Sequence, residues 1–257
     1  MGLLAIVLAA GCSGASTPVA GPNGPLGPER PPIAPLTAND AYPQVRAGEP
    51  ATLTYRITDG QDAGQPAALT FTACDRLGAL PPVAQPGDHT CLVWTVDAEA
   101  TPRNTRVWTR AGSGLIVMGI MLNPERRVFS IFDPPLVVFP TVLEPGAPFT
   151  QTVSMKVTDE RGRPKEQGTV TLETTLVAQQ DLSLAGRSVE TARVRSVFRA
   201  NLKNARILRT TDRWHVPGVG PVMEHFNEEV RVFGLVVERT SQTFILDGDV
   251  PTAADDR

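Results

Sequence analysis

Between Thr210 and Leu246 the chain reads TTDRWHVPGVGPVMEHFNEEVRVFGLVVERTSQTFIL, and its period of two narrows the fold more than any other feature. From Val222 onward Val222, Phe226, Val230 and Val232 are apolar, while His225, Asn227, Glu229 and Arg231 take the alternate places. A half-buried strand accounts for that spacing and a helix does not. Glu224 and Glu228 stand as exceptions on the apolar side, and His225 falls on an outward position. Just upstream, Trp214 leads into Pro217-Gly218, which suits the centre of a type II turn: proline fixes the first φ and glycine accepts a positive second one. Gly220-Pro221 then re-aims the chain.

The same alternation recurs along most of the sequence. Leu53, Tyr55 and Ile57 alternate with Thr52, Thr54 and Arg56; Val153, Met155 and Val157 alternate with Thr152, Ser154 and Lys156. After DERGRPKEQG the pattern resumes in Val170, Leu172 and Leu176, which predicts a long antiparallel hairpin. Further strands are expected over 69–73, 91–96, 106–109, 115–121 and 128–132. With 24 Pro and 22 Gly residues, long helices are excluded and turns are plentiful. Ala192, Val194, Ser196 and Phe198 share one face of another strand, and Arg193, Arg195 and Arg199 share the other. That arginine row reads as a solvated face with Glu190, Glu224, Glu228 and Glu229 as neighbours.

A chain of 257 residues with 41% hydrophobic content can bury the core of one large β domain. The expected boundaries are a lipoprotein signal at 1–11, a Pro/Gly-rich tether at 12–48, a single β domain at 49–246 and a polar tail at 247–257. Met1 to Cys12, MGLLAIVLAAGC, falls short of the roughly 20 apolar residues that span a bilayer. An apolar run closed by small residues and a cysteine resembles a bacterial lipoprotein signal, with acylation of Cys12 after cleavage. Ser13 follows, and by resemblance to lipoproteins of diderm bacteria the absence of Asp there implies the outer membrane. The location expected is the cell envelope, facing the periplasm or the cell surface. Proline then keeps the tether extended, because such a segment cannot bury enough apolar surface to order itself. In an exported protein Cys74 and Cys91 are expected to form a disulfide, since His89 alone is too little company for a metal site.

Three runs carry a family resemblance. They are Gly114 to Met121 followed by Asp133-Pro134-Pro135-Leu136 and Pro140; Leu182-Ser183-Leu184-Ala185-Gly186-Arg187 to Val194; and Trp214-His215-Val216-Pro217-Gly218-Val219-Gly220-Pro221-Val222. Together they resemble an envelope family related to the LolA-type and LppX-type lipoprotein carriers and to the TapB-like proteins. The resemblance implies an all-β fold: a curved, incompletely closed antiparallel sheet, or half-barrel, with minor helix at most and an apolar concave face. It implies no reaction.

The net charge of −3 offers no basic field for phosphate backbones, so nucleic acid is not an expected partner. His89, His215 and His225 are scattered, and no Walker A loop, dinucleotide fingerprint, HExxH or zinc-cysteine cluster occurs. Gly112-Ser113-Gly114 lacks the spacing and the following helix of a nucleophile elbow. No catalysis, cofactor or metal is therefore expected. Two functions remain open. Either the curved sheet offers a groove to a lipid, an acylated partner or another hydrophobic ligand, lined by Val153, Met155, Val157, Leu172, Leu176, Val194, Phe198 and Phe226, or the domain is a structural, assembly-accessory module. In the second case it binds an envelope protein through an edge strand or through the turn of Trp214, Pro217, Gly218 and Gly220.

Overall fold

Alternation of β-branched and polar residues drives this chain into strands that are long for a protein of its size. The computed structural model describes residues 26–42, 51–60, 62–73, 89–96, 101–110, 116–123, 128–248 and 250, and for 71–73, 89–96, 101–110 and 116–123 the backbone alone. Cys12, Cys74 and the side chain of Cys91 lie outside the described residues. So do the signal segment and residues 12–25 and 43–48 of the expected tether.

The strands run in order β1 (Leu26–Arg30), β2 (Leu36–Thr37), then after a short helix α1 (Ala38–Ala41), β3 (Ala51–Ile57), β4 (Pro66–Ala73), β5 (His89–Val96), β6 (Thr101–Arg110), β7 (Ile116–Asn123) and β8 (Val128–Phe139). They continue as β9 (Val142–Leu143), β10 (Phe149–Asp159), β11 (Pro164–Leu184), β12 (Arg187–Leu202), β13 (Ala205–Val216), β14 (Gly220–Val232) and β15 (Leu235–Leu246). Thirteen of them form one antiparallel sheet, in the order β1-β11-β10-β8-β7-β6-β5-β4-β3-β15-β14-β13-β12, and β2 and β9 make a separate pair. β11 also pairs with β12, so the ladder bends round on itself. The sheet is not sealed into a regular barrel. At the seam β15 meets β3 over only Phe244↔Ile57, Ile245↔Arg56 and Leu246↔Tyr55, which leaves most of β15 without a second described strand. The fold is the all-β sheet that the alternation predicts, curved and incompletely closed as the family resemblance implies, with α1 as the one helix among the described residues.

Register decides which residues look inward. Val153 pairs with Val170, Leu172 with Phe198 and Leu176 with Val194, while Thr211 pairs with Phe226 and Ser196 with Thr211. These rows put all eight groove candidates on the inner face. Gly168 lets β11 and β12 approach there: a Cβ at that position would sit 1.9 Å from the Asn201 carbonyl oxygen. Beyond a register shift between Leu176 and Ala178, β11 turns its Ala178, Gln180, Leu182 and Leu184 to the face opposite, where all four are also buried.

The amino-terminal side departs from expectation. Within the stretch read as a free tether, residues 26–42 form a strap laid on the domain. β1 pairs with β11 at Leu26↔Leu182, Glu29↔Gln180 and Arg30↔Gln179, on the edge that β10 leaves open beyond Thr174. Leu36, Ala38, Ala41 and Tyr42 are buried in the main apolar core. Proline richness conceals this because the strap gains its stability from distant side chains, not from any pattern of its own. At the other end Asp247 continues beside β3, its N–H donating to the Thr54 carbonyl at 3.0 Å or less (2.9 Å), and Val250 packs against the core.

Candidate functional site

Glu224 and Glu228, the two exceptions to the apolar pattern of β14, face cations of the same spacing on β13. Glu224 is opposite Arg213 and Glu228 is opposite Arg209, all four on the inner face. Arg213 Nε donates to Glu224 Oε2 at 2.6 Å, and Arg209 reaches Glu224 Oε1 at 3.4 Å and Glu228 at 3.7 Å. The Arg209 guanidinium also lies 3.9 Å from the centre of the Phe226 ring, a cation–π contact. Glu224 is 3% exposed, so its charge depends on these partners. Tyr55 stands beside them and donates its hydroxyl to the Pro221 carbonyl at 2.7 Å. Burial, and then the Glu224 carboxylate, push the Tyr55 hydroxyl well above its usual range. Burial works against the Arg213 charge, but Glu224 more than offsets it, and the guanidinium is held above its ordinary value.

The strap closes over the end of this row. Thr37 caps α1 by accepting from the Asp40 N–H at 3.1 Å. Ala38 N–H donates to the Thr141 carbonyl at 3.0 Å, and the Gly218 N–H donates to the Asp40 carbonyl at 2.9 Å. His215 Nδ1 donates to the Ala41 carbonyl at 2.8 Å, which fixes the tautomer because a carbonyl only accepts. Its Nε2 is buried without a hydrogen-bond partner among the described residues. Tyr42 and Phe139 meet the imidazole edge-on, at ring distances of 5.4 and 6.2 Å. Burial and then the neighbouring Arg213 charge lower the His215 pKa to about 3, so the ring is neutral at ordinary pH. Chemically this is a lock between strap and sheet, made of one hydrogen bond and three packed rings.

On the opposite face a second polar cluster holds β1. Trp214 Nε1 donates to Gln180 Oε1 at 2.8 Å, and Gln180 Nε2 donates to the Gly27 carbonyl at 2.7 Å. Arg193 lies 5.2 Å from the Trp214 ring centre and bonds both Asp212, at 3.1 Å, and Glu29. Arg195 binds Asp212 through two nitrogens, at 2.9 and 3.0 Å. Of the arginine row, Arg195 and Arg199 are exposed as a solvated face would be, while Arg193 and Arg195 also form a network whose partners are Asp212 and Glu29 instead of the four glutamates expected.

Val153, Met155, Leu172, Leu176, Val194 and Phe226 are buried in a single apolar cluster with Leu36 and Tyr42 of the strap, and Val157 and Phe198 pack against it half-buried. Trp214 is 2% exposed. Pro217 and Gly218 close their turn with Gly218 at φ 78 and a 3.0 Å bond from Val219 N–H to the Val216 carbonyl, and Gly220 follows at φ 117. The strap is bonded to this turn through the Asp40 carbonyl, while Pro217 and Gly218 themselves stay exposed. His225 takes the outward-facing position expected, opposite Asp212, but is buried there: its Nδ1 donates to Thr243 Oγ1 at 2.8 Å and Asn227 donates to its Nε2 at 2.9 Å. Sequence reasoning missed Arg209, Arg213, Tyr42 and Gln180. The signal for the first two was present in the matching four-residue spacing of Glu224 and Glu228.

No family model and no curated protein matches the chain. Two solved structures are similar in outline. A candidate lipoprotein from Parabacteroides distasonis is 11% identical, with 81% of this chain and 97% of that one covered and a TM-score of 0.42. A candidate exported protein with a YmcC-like fold from Bacteroides fragilis is 12% identical, with 81% and 98% covered and a TM-score of 0.40. At that identity and score neither protein's role transfers to this chain.

Proposed function

We propose that this chain is a membrane-anchored lipoprotein of the cell envelope whose β domain is a non-enzymatic, structural or assembly-accessory module. The anchor rests on the Met1 to Cys12 run. The choice of module over lipid carrier rests on the inner face. Six of the eight candidate groove residues are buried among protein side chains, and the strap contributes Leu36, Ala38, Ala41 and Tyr42 to the same cluster. Side chains covered in this way present no open wall to an acyl chain, and the adjoining Arg213–Glu224 pair is unsuited to one. The LolA-type and LppX-type resemblance supports the envelope setting, and carriage of cargo is the part of it that this packing disfavours.

Two measurements test the reading. Cys12→Ser should release the protein from membranes and abolish labelling with a palmitate analogue; unchanged association and labelling would sink the anchor. Native mass spectrometry after mild extraction should find the domain without bound lipid. A stoichiometric lipid that is lost on Phe198→Glu, with the fold kept, would restore the carrier.

A further inference from the structure

We propose that the end of the sheet formed by the 203–204 and 233–234 turns inserts into an anionic lipid surface, a membrane contact separate from Cys12. Of the large apolar side chains exposed among the described residues, Ile33, Val142, Leu208, Phe233, Leu235 and Val236, three fall together in the 233–236 stretch. Phe233 and Gly234 both adopt left-handed backbone, at φ 51 and 84. Such a pair suits a tight hairpin, but glycine or asparagine is the usual first residue, and a bulky aromatic there is an outlier. No internal packing accounts for it, since Phe233 is 79% exposed and Leu235 is 73% exposed. The Phe233 N–H donates to the Asn204 carbonyl at 2.9 Å, so the two turns lie side by side and form one blunt tip.

Charge is ordered behind the apolar residues. Residues 200–207 and 230–237 contain Lys203, Arg206 and Arg231 and no carboxylate. All three cations are exposed, and Arg206 sits opposite Arg231 in the ladder. Of the neighbouring acids, Glu229 is ion-paired with Arg231 and Arg239, while Glu166 accepts from the neutral Asn204 and Glu238 from Thr240, which leaves Lys203 and Arg206 as the cations outside these pairs. Arg231 stands two residues behind Phe233, roughly 7 Å along a strand. That is about the depth that separates the acyl boundary, where an aromatic and a leucine would sit, from the phosphates that cations would meet. A protein pocket would not require this ordering by depth.

The contact is also remote from the expected anchor. The chain enters the domain at Leu26, paired with Leu182 near the opposite turn, and the 13 residues of β14 span roughly 43 Å between the two ends.

The test uses the full chain carrying Cys12→Ser, so that no acyl group contributes, in co-sedimentation with vesicles of phosphatidylglycerol and phosphatidylethanolamine or of phosphatidylcholine alone. The expected result is binding to the anionic vesicles that weakens with salt and is weaker on the neutral ones. Phe233→Asn with Leu235→Thr keeps a residue tolerant of the left-handed turn and should lower the bound fraction about tenfold or more. Lys203→Glu with Arg206→Glu should do the same, while Phe233→Trp should bind as the parent does. Circular dichroism checks that each variant is folded. Failure of the parent to bind anionic vesicles, or undiminished binding by the folded tip variants, overturns the proposal. So does loss of a co-purifying protein in those variants with vesicle binding unchanged, since the tip would then be a protein contact. Acylation of Cys12, measured separately in the unmodified chain, can hold or fail whatever the vesicles do.

Discussion

His215 connects the strap to the sheet through a single buried ring, and its protonation state is therefore tied to stability. Its pKa is depressed to about 3 by burial and by Arg213, with Glu224 acting in the opposite direction, whereas an unfolded histidine titrates near 6.5. The neutral ring thus contributes stability that is fully present above pH 6.5 and is lost as pH falls from there toward 3. We expect the unfolding midpoint in urea to drop across this window, and His215→Phe to flatten that part of the profile; an unchanged slope would disconnect the histidine from acid unfolding. The Arg213–Glu224 pair gives a second expectation. Glu224→Leu alone strands a buried guanidinium and should destabilise by about 3–5 kcal/mol, while adding Arg213→Met should recover much of the loss. Denaturation of both variants and the double variant measures the difference.

At the scale of elements, strand pairing brings together what the chain keeps apart. Gly168 is needed where β11 meets β12, and Gly168→Ala should lower stability by about 2–4 kcal/mol because backbone, not a flexible side chain, stands in the way. The antiparallel ladder sets Cys91 opposite Thr72, two residues before Cys74, so the expected disulfide would be a diagonal link closing the 75–90 loop within one hairpin. Peptide mapping without reduction should find it; free-thiol labelling of both cysteines in protein from its native compartment would count against it. The strands were legible because alternation is local: Val153, Met155 and Val157 announce β10 without help from the rest of the molecule. The strap was not. In PPIAPLTANDAY only Leu36, Ala38, Ala41 and Tyr42 are buried, and their partners are distant in sequence: Phe139 lies 97 residues from Tyr42 and His215 lies 174 from Ala41. The register shift after Leu176 hid the second polar cluster in the same way, by moving Gln180 and Leu182 to the face that alternation assigns to solvent.

For the whole molecule, the seam between β15 and β3 is the weakest link in the sheet apart from its edge strand β1, which is held by as few pairs. It holds three residue pairs, against sixteen between β11 and β12. We expect hydrogen exchange to open residues 55–57 and 244–246 before 168–176 and 194–202, since local opening follows the fewest shared contacts. Equal protection at both places would show that side-chain bonds across the 58–62 loop, such as Thr243 to Asp59 at 2.7 Å, stiffen the seam beyond its ladder. The strap has a mechanical consequence. If the chain is pulled from its amino-terminal side, tension meets the three pairs of β1, then the two of β2 and β9, then the His215 lock, before it loads the sheet. Peeling residues 26–42 would release on the order of 55 Å of slack. Strap and sheet would then behave as a fuse in series with a spring: the attachment lengthens under load while the thirteen-stranded body loses only its outermost strand.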